Sequence, residues 1–135
     1  MFKTSGGKYI APQLLENTMK QSRFIEQIMV IGDGQKMPAA FIQPNFDFVK
    51  EWATLHKVTL GSTNEEIIAN PKVIERIQQE IDLLNEKFGS WEKIKRFELT
   101  PDLWTIPAGH LTPTLKLKRK VVLEKYHGLY EKIYN

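Results

Sequence analysis

The chain has 135 residues, 41% of them apolar, a length and composition suited to one core and one domain spanning residues 1–135. Its net charge of +3 is mild, and Asp and Glu are spread through the middle, so only the last third has a local cationic bias; this points to a local anion site rather than a long polyanion track. The absence of cysteine excludes disulfides and thiolate metal sites, and no apolar run approaches the ~20 residues that span a bilayer.

The chain opens on Thr4, Ser5, Gly6 and Gly7, a flexible corner before the β-favouring pair Tyr9 and Ile10. Pro12 suits the first position of a helix, and Leu14, Leu15, Thr18 and Met19 fall on one face, predicting a short amphipathic helix to about Ser22. Residues 24–31 and 37–42 are apolar and rich in β-formers. The connection Gly32-Asp33-Gly34-Gln35-Lys36 allows positive φ, so these runs predict an antiparallel hairpin. Phe48, Val49, Trp52 and Leu55 recur at helical spacing, with Asn45 or Asp47 available as a cap.

Gly61 interrupts the pattern, and Ser62 followed three residues later by Glu65 has the form of a capping box for a short helix over residues 64–70. From residue 71 to 88, Ile74, Ile77, Ile81, Leu84 and Phe88 give one apolar stripe on the longest helix. Ile94, Phe97 and Leu99 then mark one more strand packed on the hairpin. Pro101, Pro107, Gly109 and Pro113 make residues 101–114 irregular, and an apolar stripe from Val121 to Ile133 predicts a single terminal helix over residues 118–134. The expected fold is α+β, a small antiparallel sheet with a hairpin, covered by helices.

Two segments carry candidate chemistry. The first is LTPTLKLKRK, residues 111–120, where Lys116, Lys118, Arg119 and Lys120 follow a Pro-containing turn. In an extended strand Leu115 and Leu117 would anchor one side while Lys116 and Lys118 faced the other, and a fixed ammonium can neutralise charge when an anionic carboxylate attacks a phosphate. Charge runs are usually surface decoration, and spacing alone favours a solvated basic turn. The second is the Gly-rich opening, in which Ser5, Gly6, Gly7 and Lys8 could form a backbone nest for a phosphate or a thin ligand chain; a plain turn is the simpler reading. His56, His110 and His127 lack metal-ligand spacing and are given no catalytic role, no metal-binding residue is identified, and Trp52, Trp91 and Trp104 read as core and interface fillers.

Together KTSGGKYIAPQLLE and LTPTLKLKRKVVLEKY, with FIEQIMVIGDGQKMPAAFIQPN and WEKIKRFELT between them, resemble the C-terminal domain of AMP-forming acyl-CoA synthetases, specifically long-chain fatty acid CoA ligases. The resemblance implies the mobile lid domain of adenylate-forming enzymes. In that family fatty acid and ATP, with Mg, give an acyl adenylate and pyrophosphate, and CoA then displaces AMP; a large N-terminal domain carries most of the nucleotide and acyl sites, and the lid rotates between steps. By this likeness Lys116 matches the lysine that enters during adenylation. Ser5, Gly6, Gly7 and Lys8 match the turn that lines the CoA passage. Where many relatives carry an acidic residue, this chain has His110.

The large domain and the hinge before the Lys-Thr-Ser-Gly-Gly stretch are outside this chain, so the isolated chain is expected to be inactive and to bind no cofactor tightly. Its expected partners are that N-terminal domain, fatty acid, ATP and CoA, with no nucleic acid and at most peripheral membrane contact, in the cytoplasm. The alternative is a non-catalytic basic module binding the phosphates of nucleic acid or of CoA.

Overall fold

The computed structural model describes residues 1–135. Its centre is a three-stranded sheet in the order β3 (Ile25–Ile31), β4 (Ala39–Pro44), β5 (Arg96–Leu99), preceded by a two-stranded ribbon of β1 (Phe2–Lys3) and β2 (Tyr9–Ile10). The predicted hairpin is present, with Ile28 opposite Ile42 and Val30 opposite Ala40. Gly32 turns the corner at φ 137°, where an added Cβ would lie 2.9 Å from the Met37 carbonyl, so glycine is required by both conformation and space.

Both faces of this sheet are buried, which is why β3 and β4 read as continuous apolar runs rather than as alternating ones. Ile28, Val30, Ala40 and Ile42 face a core completed by α1 (Pro12–Met19), α2 (Phe46–Leu55), α3 (Asn64–Ala69) and α4 (Pro71–Asn85). Met29, Ile31, Ala39 and Phe41 face a second core closed by Trp104, by Val122 of α5 (Arg119–Lys125) and by Ile133 of α6 (His127–Tyr134).

The sheet is mixed rather than wholly antiparallel. Strand β5 joins β4 in parallel, Ala40 opposite Phe97 and Ile42 opposite Leu99, because α2, α3 and α4 intervene and carry the chain back to the starting end of β4. Other expectations shift by smaller amounts. Leu14 is exposed, and α1 instead buries Pro12, Leu15, Glu16 and Met19. The cap of α3 falls one residue later than expected: Thr63 Oγ1 accepts from the Glu66 amide at 3.1 Å while the Glu66 carboxylate accepts from the Thr63 amide at 3.2 Å. On α4 the core face is Val73, Ile77, Ile81 and Asn85, with Ile74 at the solvent edge.

Helix α4 ends at Asn85, short of Phe88. The buried Asn85 amide accepts from the Ile94 N–H at 3.0 Å and donates to the Ile94 carbonyl at 2.9 Å, a reciprocal pair that anchors the segment leading into β5. The single terminal helix is two: Tyr126, at φ −108° and ψ 30°, bends the chain between α5 and α6. Replacing Asn85 by Ala strands both Ile94 backbone groups in the interior, so Asn85→Ala is expected to lower stability by about 1–3 kcal/mol in urea unfolding; a loss under about 0.5 kcal/mol would show that the pair carries no weight.

Candidate functional site

The basic segment does not run as an extended strand. Leu111 and Leu117 pair as an isolated antiparallel bridge, and between them the chain makes a tight turn: the Leu115 amide donates to the Thr112 carbonyl, the Thr112 amide to the Lys116 carbonyl, and the Lys116 amide to Thr112 Oγ1 at 3.1 Å. The turn forces Leu115 to φ 65°, a conformation that disfavours a residue with a Cβ by about 1–2 kcal/mol. Leu115 is 67% exposed and Leu117 half-buried against the second core, so the two leucines do not anchor one side together. Lys116 projects from the turn into solvent.

The stem of this turn is held from two directions. On one side the His110 carbonyl accepts the Lys118 amide at 2.9 Å. On the other, Arg119 makes a two-pronged contact with Glu16, Nη1 to Oε2 at 2.8 Å and Nη2 to Oε1 at 2.7 Å, and Oε2 also accepts from the Val30 amide at 2.7 Å. Glu16 is 4% exposed. One carboxylate therefore ties α1, β3 and the start of α5 together beside Lys116, through the planar fork geometry that only arginine offers.

A cleft of about 320 Å³ opens at this junction, with Gln13 and Asn17 of α1 and Lys20 just after it on one wall and Lys116 on the other. Two ammonium groups and three amides, with Gln27 the third, face this space, and the Glu16 carboxylate on its wall is paired with Arg119, so the unpaired charge of the lining is positive. A larger cleft of about 550 Å³, between Glu26, Asp47 and Asn64, contains neither Lys116 nor any of residues 5–8.

The Gly-rich turn lies elsewhere, docked on the β3–β4 connection. Ser5 donates to the Gln35 carbonyl at 2.8 Å and Gly34 to the Lys3 carbonyl at 2.9 Å. The amides of Thr4, Ser5 and Gly7 are all engaged by protein carbonyls, so the expected phosphate nest does not form from them. What the turn presents is bare backbone: nothing lies within 4 Å of a Cβ added at Gly6, and Gly7 sits at φ 87°. Lys8 Nζ rests 5.7 Å from the centre of the half-exposed Trp91 ring. None of residues 5–8 lines the Lys116 cleft, so the two candidate segments occupy separate surfaces.

Sequence reasoning passed over two residues. Glu16 occupies the buried face of α1 with Pro12, Leu15 and Met19, and a carboxylate at that register is the signal that could have found it. His110 lies in an irregular stretch where no periodicity marks burial, yet it is 0% exposed. It accepts at Nδ1 from the Thr105 amide at 3.2 Å, stacks parallel to Trp104, and bonds through Nε2 to the Tyr126 hydroxyl at 3.0 Å. His56 is exposed just past the end of α2 and His127 is exposed at the start of α6, and no three His, Asp or Glu side chains are grouped to hold a metal ion.

The structure is a small α+β module, a mixed sheet covered by helices on both faces, with an exposed lysine on a clamped turn and a bare glycine turn on another surface. The chain belongs to the AMP-binding enzyme C-terminal domain family, whose model matches residues 2–135. It is 33% identical over 132 residues to the long-chain-fatty-acid–CoA ligase FadD15 of Mycobacterium tuberculosis, and 29% identical over 138 residues to long-chain-fatty-acid–CoA ligase 6 of Homo sapiens. Those matches cover 98% and 100% of this chain but 22% and 20% of the relatives, so the chain spans about a fifth of their length.

Among solved structures, the adenylation domain of a carboxylate reductase from Mycobacterium chelonae superposes with a TM-score of 0.78 at 20% identity, covering 98% of this chain and 19% of that one. A fatty acyl CoA synthetase of Mycobacterium tuberculosis gives 0.56 at 16% identity, covering 92% and 19%. These likenesses establish the fold.

Burial holds the His110 imidazole below its ordinary pKa, the Lys125 charge adds to this, and Asp102 opposes it. The unfolded chain therefore takes up the proton first as pH falls. The contribution of neutral His110 is complete above about pH 6.5 and is lost as pH drops through the lowered folded value. Between about pH 7.5 and 5.5 the wild type is expected to lose more unfolding free energy than His110→Gln, measured by urea titration; equal losses would contradict a buried neutral imidazole.

Proposed function

We propose that this chain is the mobile lid of an acyl-CoA ligase acting on long-chain fatty acids, in the cytoplasm. The supporting observation is the exposure of Lys116 on a turn whose stem is fixed, joined to the likeness to long-chain fatty acid CoA ligases along nearly the whole chain. An ammonium held on a rigid stem can be carried as a unit to another surface and keeps its position when it arrives.

In adenylation, a carboxylate oxygen of the fatty acid attacks the α-phosphorus of ATP, the bond to the bridging oxygen breaks, and pyrophosphate leaves. Both reactants are anions, so the barrier is raised by their repulsion. Lys116 offsets that repulsion by hydrogen bonding to the oxygens on which charge builds up. The lid then turns, and the surface of Ser5, Gly6, Gly7 and Lys8 replaces it. A turn without side chains at Gly6 and Gly7 lets the thin pantetheine arm of CoA pass close to the backbone, and Lys8 offers a charge for CoA phosphates. The CoA thiol loses its proton to solvent as its sulfur attacks the acyl carbonyl, and AMP departs with the electron pair of the broken mixed-anhydride bond. Magnesium accompanies ATP in this chemistry. The carboxylates of this chain are not grouped to hold it, so no residue here is assigned to the metal.

The test joins the chain to the large domain that precedes it in its relatives and follows each half-reaction separately. Lys116→Ala is expected to slow pyrophosphate release by about 10²–10³-fold, the usual loss when one charge-stabilising donor is removed. Thioester formation from supplied acyl adenylate should be nearly unchanged. Undiminished adenylation in Lys116→Ala would reject the role given to this lysine.

A further inference from the structure

Behind the Lys116 turn lies a set of polar side chains that the chemistry above leaves without a task. The Thr105 amide donates to His110 Nδ1 at 3.2 Å, which puts the proton of the neutral ring on Nε2. Nε2 lies 3.0 Å from the Tyr126 hydroxyl, and that hydroxyl donates to Asp102 Oδ2, also at 3.0 Å. The hydrogen bonds therefore run in one direction, from the Thr105 backbone through two buried rings to a surface carboxylate. Trp104 lies against the imidazole at 5.7 Å with the ring planes 1° apart, and its indole Nε1 donates to Thr100, so the plane of His110 is fixed as well.

This relay is joined to the lysine turn through the backbone. His110 supplies the carbonyl that receives the Lys118 amide, and its neighbour Leu111 is one half of the bridge to Leu117. Tyr126 stands at the bend between α5 and α6, so its hydroxyl links the far end of α5 to the near strand of the stem. Both ring nitrogens are engaged, in opposite senses, as a buried neutral imidazole requires, and the pairing fixes the ring against the stem.

We infer that His110 and Tyr126 are positioning residues for Lys116: the relay from Thr105 through His110 and Tyr126 to Asp102 holds the stem of the turn where the ammonium meets the reacting carboxylate and phosphate. The inference rests on the adenylation role proposed for Lys116. It extends that role to side chains that never touch substrate and act only by fixing the backbone that carries the lysine.

Tyr126→Phe removes one hydroxyl from the middle of the relay and keeps the ring in its edge-on packing with Phe41. In the joined ligase it is expected to slow pyrophosphate release about tenfold, as for one lost buried hydrogen bond, and to leave the CoA-dependent step within about twofold. Asp102→Ala, at the exposed end of the relay, should act in the same direction by a smaller factor, and decides the matter by the same criterion if Tyr126→Phe fails to fold. Equal slowing of both half-reactions, the mark of general loosening, overturns the inference, as does unchanged adenylation.

Lys116→Ala measured alongside separates the two levels. Normal adenylation there removes both the lysine's role and the relay's purpose; a large loss there with an unaffected Tyr126→Phe removes the relay alone. Nitrogen-15 spectra of the 135-residue chain give a readout independent of catalysis. They are expected to show His110 with its proton on Nε2 and Nδ1 bare at neutral pH; a proton on Nδ1 contradicts the direction of the relay.

Discussion

The contact between Glu16 and Arg119 decides where the basic loop sits. Glu16 lies on the core side of α1, where a lone carboxylate would be expensive to desolvate, and it is satisfied from two quarters: the Val30 amide within the sheet and the two terminal guanidinium nitrogens of Arg119. Because these partners come from an early helix, the hairpin and the last third of the chain, one side chain sets the register among three elements distant in sequence. Lys116 is three residues before Arg119, and its turn inherits that position.

Around this clamp the chain breaks local rules. Arg119 and Lys120 open α5, which has no acidic residue in its first turn and no side-chain cap, so cations stand at the end of the helix that prefers anions. Leu115 adopts a positive φ that favours glycine. Both departures lower stability by small amounts; the first gathers positive charge beside the turn, and the second shapes the turn that exposes Lys116. Such local conflicts in an otherwise consistent fold are expected where a surface is kept for function. The buried His110, stacked on Trp104 and bonded to Tyr126, stiffens the same region from behind.

Much of this architecture could be read from residue order. The β3–β4 hairpin followed from two apolar runs around Gly32 and Gly34, and the helices from their periodicity. The direction of β5 did not, because four residues of alternating pattern carry no information on polarity and only the intervening helices fix it. The cap of α3 slipped by one residue because Ser62 and Thr63 are both competent and only the Glu66 geometry chooses between them. Lys116 stood out by its charge and by the likeness of its motif to a known family, but its conformation was not legible: spacing implied a strand, and the structure has a turn. Glu16 and His110 were missed for a common reason, that their partners are brought close only by the fold, Arg119 being 103 positions away and Tyr126 16.

The stem of the lysine turn is clamped by Glu16, Arg119 and the Leu111–Leu117 bridge, so the turn moves only as part of the whole module. Backbone relaxation of residues 111–118 in the 135-residue chain tests it most directly. Order parameters near the ~0.85 of rigid backbone are expected in the wild type, with a clear fall in Glu16→Gln, where the two-pronged contact is lost. A loop already below ~0.6 in the wild type, or one unaffected by Glu16→Gln, would contradict it.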